Sequence, residues 1–227
     1  MTLWNLRFSK LLKLEEIMSS GNDNENKENE KKYIITIMLD ASLSMMTKSG
    51  PGISRFETVT EEINQLLKDR LLEPDVEKTF VIILSFSKYI KLIQSSPLKD
   101  IKKITSYTYN PKNDYNNGRR TALYKSIIES HKYTNNIIKE KKWTNVIHQL
   151  ICLTDGYNNS LDDITANDVN ELFKDNECIG IYISMDTREQ VEFNAKEMGF
   201  KKWMTIELDY SNNYNIRSPR YNSDNSD

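Results

Sequence analysis

The stretch "IITIMLDASLSMM", residues 34–46, joins an apolar run to a polar loop. Its first six residues are apolar or β-branched, which is typical of a strand that is covered on both faces. The run ends in one carboxylate, Asp40, and two hydroxyls follow at alternating positions, Ser42 and Ser44. In open α/β sheets, ligands bind at the carboxyl ends of the strands. We therefore expect these three side chains to belong to a binding site.

Length and composition suit a folded globular protein. The chain has 227 residues, a length compatible with one large α/β domain, and a net charge of −2. This balance indicates neither a nucleic-acid-binding surface nor an acidic sink. The sequence contains no apolar run long enough for a transmembrane segment. Arg7, Lys10 and Lys13 interrupt the apolar N-terminus, so no signal peptide is predicted and a cytoplasmic, intracellular location is expected.

Both ends of the chain differ from the middle. Residues 1–18 have apolar residues at helical spacing and predict an amphipathic helix. This helix would dock on the main domain or bind a partner or a membrane surface. Alternatively, Met18 is the true start of the protein. Residues 19–32 are almost entirely polar and predict a disordered linker, and residues 211–227 predict a disordered tail. The folding domain is therefore expected to span residues 33–210.

Strand and helix patterns alternate through this domain. The patterns predict strands at 33–39, 79–87, 89–95, 146–154, 178–184 and 202–208, and helices at 54–72, 121–140, 165–175 and 187–199. A further short helix is predicted within "LKDIKKI", residues 98–104. The second and third strands are too close for a crossover and predict an antiparallel hairpin. The fold class is therefore α/β: a Rossmann-like open sheet, mostly parallel with one antiparallel edge strand, with helices on both faces.

Two later segments bring further oxygen donors to this sheet. Thr121 heads a predicted helix, and Asp155 follows an apolar strand. Because the carboxyl ends of parallel strands share one edge, we expect both side chains to lie near Asp40, Ser42 and Ser44. Carboxylates and hydroxyls are hard ligands, which favour Mg²⁺ or Mn²⁺, then Ca²⁺, and disfavour zinc or copper at this place.

Hydroxyl groups are weak donors, and the predicted set carries little charge. It cannot saturate a divalent cation, so at least one position is left to water or to an incoming ligand. A cation with an open position prefers an anionic oxygen. The donor set therefore predicts a metal-bridged site that engages an exposed Asp or Glu of a partner protein.

The five residues, with their order and strand context, resemble the metal-ion-dependent adhesion site of von Willebrand factor A (VWA) domains. The resemblance covers about residues 33–208 and rests on Asp40-x-Ser42-x-Ser44, Thr121 and the Asp155 of "TDG". It implies that Ser42, Ser44 and Thr121 ligate the ion directly. Asp40 and Asp155 would act mainly through water and by orienting the hydroxyls. Intracellular members of this family usually work inside multiprotein assemblies, often beside AAA-type ATPases or in stress-response complexes.

Two positions depart from the pattern of the family. Leu43 stands where Gly is common, and Arg119-Arg120 precede the threonine where Gly-Gly is common. An arginine beside the ion could bind an acidic partner or repel the cation. An intact metal site and a degenerate one, binding partners without metal, therefore both remain open. Arg119 and Arg120, with Tyr157 and Asn158, form the predicted partner-binding rim.

Other chemistry fits the sequence less well. A haloacid dehalogenase-type phosphatase needs a second aspartate where Ser42 stands, and no G-x-S-x-G motif supports a serine hydrolase. His131 and His148 are interpreted as structural histidines. Cys152 and Cys178 lie inside apolar runs and predict buried free thiols without metal-clip spacing. A metal-dependent phosphoester hydrolase that uses the same oxygen site remains the enzymatic alternative.

Overall fold

The computed structural model describes residues 31–49, 52–105, 120–156, 158–174, 178–185 and 187–206. The predicted N-terminal helix and C-terminal tail lie outside the described residues, as does most of the predicted linker. Lys32, at the end of that linker, is already the first residue of a strand, where its backbone N–H donates to the Asn145 carbonyl at 2.9 Å. The first strand therefore begins one residue earlier than the apolar pattern indicates.

Six strands form one sheet, and two short strands pair separately. The sheet consists of β1 (Lys32–Asp40), β4 (Thr79–Phe86), β5 (Ile90–Pro97), β6 (Val146–Thr154), β7 (Cys178–Ser184) and β8 (Lys202–Thr205), with β2 (Lys48–Ser49) and β3 (Ile53–Ser54) forming the separate pair. The order in the sheet is β5-β4-β1-β6-β7-β8. Only the edge strand β5 runs antiparallel, which confirms the predicted fold class.

Four α-helices connect these strands in the described part of the chain. They are α1 (Arg55–Arg70), α2 (Leu123–Glu140), α3 (Ala166–Glu171) and α4 (Arg188–Glu197), and one-turn 3₁₀ helices occupy Leu43–Met46, Val76–Lys78 and Leu98–Asp100. Ser54 caps α1 in a capping box with Glu57, as its position before the helical pattern predicts. None of the helices in the described part of the chain is long and apolar enough to cross a membrane.

Helices cover both faces of the sheet. Phe56, Val59 and Ile63 of α1 pack against one face, in a core cluster that includes Ile37 of β1. The other three helices pack against the opposite face, in a cluster that includes Met38 of the same strand. Successive strand residues point to opposite faces, so a strand buried between two helix layers must be apolar at every position. This requirement explains the unbroken apolar run of β1.

One predicted helix is wrong and another is shorter than predicted. In residues 98–104 only Leu98–Asp100 form a 3₁₀ turn, and the following residues have no regular secondary structure. There the side chain of Asn64 on α1 accepts a hydrogen bond from the Ile104 N–H and donates one to the Ile104 carbonyl. These bonds replace those that a helix would make. The helix predicted at 165–175 is α3, which ends at Glu171 and continues as a turn.

The direction of the crossovers changes between β1 and β6. From β1 the chain passes through α1 to β4 on one side, and from β6 it passes through α3 to β7 on the other side. The carboxyl ends of these two neighbouring strands therefore border the crevice in which open α/β sheets bind ligands. Asp40 ends β1, and Asp155 follows β6 directly.

Candidate metal centre

Asp40 is fully buried at the end of β1, and both of its carboxylate oxygens accept hydrogen bonds. Its Oδ1 accepts a hydrogen bond from the Ser42 backbone N–H at 2.7 Å. Its Oδ2 accepts another from the Thr154 hydroxyl, the last residue of β6, at 2.6 Å. These two bonds fix the orientation of the carboxylate across the β1–β6 boundary.

The charge of Asp40 is unfavourable in this position. Burial, together with the nearby carboxylate of Asp155, raises the pKa of its carboxyl from 3.8 to about 6. The hydrogen bonds from Thr154 and Ser42 lower the pKa and offset only part of this effect. Two carboxylates that repel each other in a buried place are an arrangement that a bound cation would stabilise.

Three side chains form a directed chain of hydrogen bonds next to Asp40. The Ser44 hydroxyl donates to Asp155 Oδ1 at 2.8 Å, and the Ser42 and Ser44 hydroxyl oxygens are 2.9 Å apart. Because Ser44 has only one hydroxyl proton, Ser42 must be the donor to Ser44. The structure thus brings Asp40, Ser42, Ser44 and Asp155 together at one end of the sheet.

The loop that carries the two serines is anchored by its neighbours. Met45 is fully buried, and its N–H donates to the Ser42 carbonyl at 3.1 Å, closing the 3₁₀ turn. Leu43 has 38% of its surface exposed. The side chain that replaces the common Gly of the family therefore extends into solvent and displaces no core residue.

Arg55 also belongs to this cluster, although it is not among the predicted site residues. The side chain of Asp155 is fully buried, and its Oδ2 accepts a hydrogen bond from Arg55 Nη1 at 2.6 Å. Arg55 is the first residue of α1, where the helix dipole disfavours a positive charge. No local pattern in the sequence indicates this contact, because it depends on how α1 packs on the sheet.

Thr121 lies at the same edge of the sheet but does not join the hydrogen-bond chain. Its backbone N–H donates to Asn159 Oδ1, and the Asn159 N–H donates back to the Thr121 carbonyl at 3.0 Å. The next residue, Ala122, donates to the carbonyl of Ser87, which follows β4. Thr121 is buried, and within the described part of the chain its hydroxyl bonds none of the other four predicted ligands.

The predicted rim is described only in part. Arg119 and Tyr157 lie outside the described residues, and Arg120 is exposed. Asn158 is half-buried, and its Oδ1 is a buried oxygen without a hydrogen bond to any residue that the structure describes. The rim assignment remains a prediction.

The residues present fit a hard divalent cation. The converging donors are carboxylate and hydroxyl oxygens, the ligand type that Mg²⁺ and Mn²⁺ prefer. The repulsion between Asp40 and Asp155 gives a cation a favourable electrostatic role. The guanidinium of Arg55 already supplies positive charge to one of these carboxylates.

Comparisons with known proteins give a structural likeness and no sequence match. No family model matches the sequence, and no curated protein does. The PilB minor pilin from Streptococcus sanguinis aligns with a TM-score of 0.53 at 13% identity, covering 80% of this chain and 58% of that one. The SpRpn10 VWA domain aligns with a TM-score of 0.48 at 9% identity, covering 78% of this chain and 89% of that one. Proximal thread matrix protein 1 from the mussel byssus, solved with a zinc-occupied MIDAS motif, aligns with a TM-score of 0.48 at 15% identity. That alignment covers 76% of this chain and 41% of that one.

The likeness to the PilB minor pilin extends to the fold and no further. At 9 to 19% identity these alignments carry no information about shared activity. Apart from the SpRpn10 domain, this chain spans only 36 to 58% of the length of the solved chains that it resembles here.

Proposed function

We propose that this chain, an α/β fold whose candidate site resembles that of von Willebrand factor A domains, is a non-catalytic protein-binding module that uses a divalent cation. Asp40, Ser42, Ser44, Thr121 and Asp155 would hold Mg²⁺ or Mn²⁺, and an exposed Asp or Glu of the partner would complete its coordination. The observation that carries the proposal is the hydrogen-bond chain Ser42–Ser44–Asp155 beside the buried carboxylate of Asp40.

Asp40 and the two serines have different parts in this proposal. Asp40 has both oxygens engaged with Ser42 and Thr154, so it orients the serine loop and contributes negative charge rather than a free ligand oxygen. The Ser44 hydroxyl already bonds Asp155 and the Ser42 hydroxyl bonds Ser44, and both can turn a lone pair towards a cation. The bound cation supplies an open, positively charged coordination position for an anionic oxygen.

The same geometry argues against catalysis at this site. A general base must reach the proton that it removes. Asp40 is fully buried with both oxygens bonded, and the Asp155 carboxylate is fully buried between Ser44 and Arg55. Neither carboxylate is placed to activate a water molecule, so the hydrolase alternative lacks a base among the described residues of the site.

Exposed side chains next to the serines suit a protein partner. Leu43, between the two serines, is 38% exposed, and Arg120 next to Thr121 is exposed. An apolar and a basic side chain flanking the cation would contact a partner surface around its acidic residue. By resemblance to intracellular VWA domains, the proposal extends to a multiprotein complex, such as an AAA-type ATPase or a stress-response complex.

Affinity capture with chelator tests this function. Immobilised full-length chain is incubated with lysate in Mg²⁺ or in EDTA, in parallel with the Ser44→Ala variant and with Ser96→Ala, a matched substitution on the edge strand β5. A partner should be retained in Mg²⁺ by wild type and Ser96→Ala only, and changing one acidic residue of that partner to its amide should release it. A partner that is retained equally in EDTA and by Ser44→Ala would contradict the proposal. Phosphoester hydrolysis by the wild type that is lost in Ser44→Ala would favour the hydrolase alternative.

A further inference from the structure

We infer that the chain has a second metal site, for Zn²⁺, formed by His131, His148 and Cys178. One potential ligand atom from each residue lies within 4.8 Å of the other two. His131 is on α2, His148 is near the start of β6, and Cys178 is the first residue of β7. Nothing in the proposed function uses these residues.

The fold, not the sequence spacing, brings these three side chains together. His148 and Cys178 are direct partners in the parallel register of β6 and β7. The ring of His131 lies over that of His148, with centroids 5.6 Å apart and an angle of 29° between the planes. His148 and Cys178 are buried and His131 is half-buried. The cluster therefore has one side towards solvent, by which an ion can enter.

A chain of hydroxyls fixes the tautomer of His148. Thr134 Oγ1 donates to the Ser130 carbonyl at 2.9 Å, and a carbonyl can only accept. Thr134 has no second proton, so Thr36 Oγ1 must donate to it across 2.8 Å. Thr36 then has no proton left for His148 Nε2 at 3.0 Å, so the imidazole is the donor. His148 therefore carries its proton on Nε2 and a bare lone pair on Nδ1.

That lone pair is buried without a partner. His148 is 3% exposed, and its Nδ1 makes no hydrogen bond with any residue that the structure describes. Burial, together with His131, lowers the pKa of His148 to about 3, so the ring is neutral at neutral pH. Buried polar atoms normally have a partner. A metal ion on Nδ1 would provide one, and the Nε2–H bond to Thr36 is the kind of outer contact that orients metal-bound histidines.

The ligand set selects the ion. Two imidazole nitrogens and one thiolate suit Zn²⁺, whereas Mg²⁺ and Ca²⁺ prefer oxygen. In a tetrahedral zinc site such ligand atoms lie about 3.5 Å apart. The three ligand atoms lie within 4.8 Å of one another, so a bound zinc ion would draw them closer by about 1 Å. Burial raises the pKa of the Cys178 thiol, so zinc binding must release that proton to solvent.

The second site is independent of the first. His148 is seven positions before Asp155 along β6, a separation of about 23 Å at the usual rise per strand residue. The two sites also differ in ligand type, since the carboxyl-edge site offers only oxygen. Loss of one site should therefore leave the other able to bind its ion.

Cobalt absorbance tests this inference, because Co²⁺ replaces Zn²⁺ and gives a thiolate charge-transfer band. Full-length chain carrying Asp155→Asn, which disables the first site, is titrated with Co²⁺. One equivalent should produce the band and Zn²⁺ should remove it. The band should be absent in Cys178→Ala and unchanged in Cys152→Ala, the matched buried cysteine of β6. A folded chain without the band, or a band that depends on Cys152, would overturn the inference.

A second measurement avoids dependence on a buried substitution. His131 is half-buried on α2, so His131→Ala should fold even if Cys178→Ala does not. Zn²⁺ should raise the melting temperature of the Asp155→Asn chain, because a ligand that binds only the native state stabilises it. His131→Ala should weaken zinc binding at least tenfold and remove most of this rise. An equal rise with and without His131 would overturn the inference.

Discussion

Arg55 and Asp155, 100 positions apart in the chain, form an ion pair in which Nη1 lies 2.6 Å from Oδ2. The guanidinium neutralises a carboxylate that the proposed site needs for its cation. Arg55 and the metal ion would therefore compete for the same negative charge. This competition gives a direct way to change metal affinity without changing a proposed ligand.

Replacing Arg55 should tighten metal binding. In Arg55→Gln the charge of Asp155 is no longer neutralised, so we expect the affinity for Mg²⁺ or Mn²⁺ to rise about tenfold, or about 1.4 kcal/mol, while the metal-free chain becomes less stable. Calorimetric titration measures the first effect and thermal unfolding in EDTA the second. Arg188→Gln, which replaces the first residue of α4, is the matched control. Unchanged or weaker metal binding in Arg55→Gln would show that the arginine supports the site.

Removing the charge of Asp40 should stabilise the metal-free chain in a pH-dependent way. Because the folded-state pKa is about 6 rather than 3.8, ionised Asp40 destabilises the native state by roughly 3 kcal/mol at pH 7. The penalty is complete above pH 6, decreases as the pH falls and disappears below the ordinary pKa. Asp40→Asn should therefore be more stable than wild type at pH 7 in EDTA, with a gain that vanishes near pH 4.

Denaturant titrations at several pH values measure this gain. Asp100→Asn, on the exposed 3₁₀ turn, is the control and should show little change at any pH. An equal effect of Asp40→Asn at pH 4 and pH 7 would mean that the burial of its charge is not the cause.

The hydroxyl of Thr154 should matter more than that of another buried threonine at a strand end. Thr154→Val removes the hydrogen bond to Asp40 and the one from the Gly156 N–H, so we expect a loss of about 1–3 kcal/mol and weaker metal binding. Thr205, the last residue of β8, is also buried, but its Oγ1 makes no hydrogen bond to the described residues. Thr205→Val should be neutral or slightly stabilising. Equal losses in the two variants, measured by denaturant unfolding, would contradict the assigned role of Thr154.

Gly180 should be intolerant of any side chain. A Cβ at this position of β7 would lie 2.6 Å from the Phe200 ring and 2.9 Å from the Phe173 ring, and these two rings pack on each other. Gly180→Ala should therefore cost about 1–3 kcal/mol through overpacking. Gly156→Ala is the control, because no atom lies within 4 Å of its added Cβ. Equal stability of both variants in thermal unfolding would show that the packing around β7 is looser than described.

Much of the architecture follows from local pattern. The predicted strands at 146–154 and 178–184 match β6 and β7 in both bounds. Continuous apolar runs mark strands that are covered on both faces, and a one-residue gap between two strands excludes a crossover. The prediction of a short helix in "LKDIKKI" was wrong because the side chain of Asn64, far away in sequence, forms hydrogen bonds with the backbone of Ile104. Propensity alone does not contain that contact.

The candidate sites show the same limit. Asp40, Ser42, Ser44 and Asp155 could be predicted to lie near each other because each follows a strand end. Arg55 could not, since its contact depends on how α1 packs on the sheet. The histidine–cysteine cluster was also hidden, because its ligands come from three elements and meet only through strand register and the packing of α2 on the sheet. Interpreting His148 as a structural histidine accounts for Nε2, which bonds Thr36, but not for Nδ1.

Calorimetric titration of the full-length chain with Mg²⁺ at pH 7 tests the central claim most directly. Wild type should show saturable binding of one ion at the carboxyl edge of the sheet. Asp40→Ala, shown to be folded by circular dichroism, should show none. Cys178→Ala should bind Mg²⁺ like wild type, because Cys178 lies far from this edge. A folded wild-type chain without Mg²⁺ binding, or equal binding by Asp40→Ala, would contradict the account.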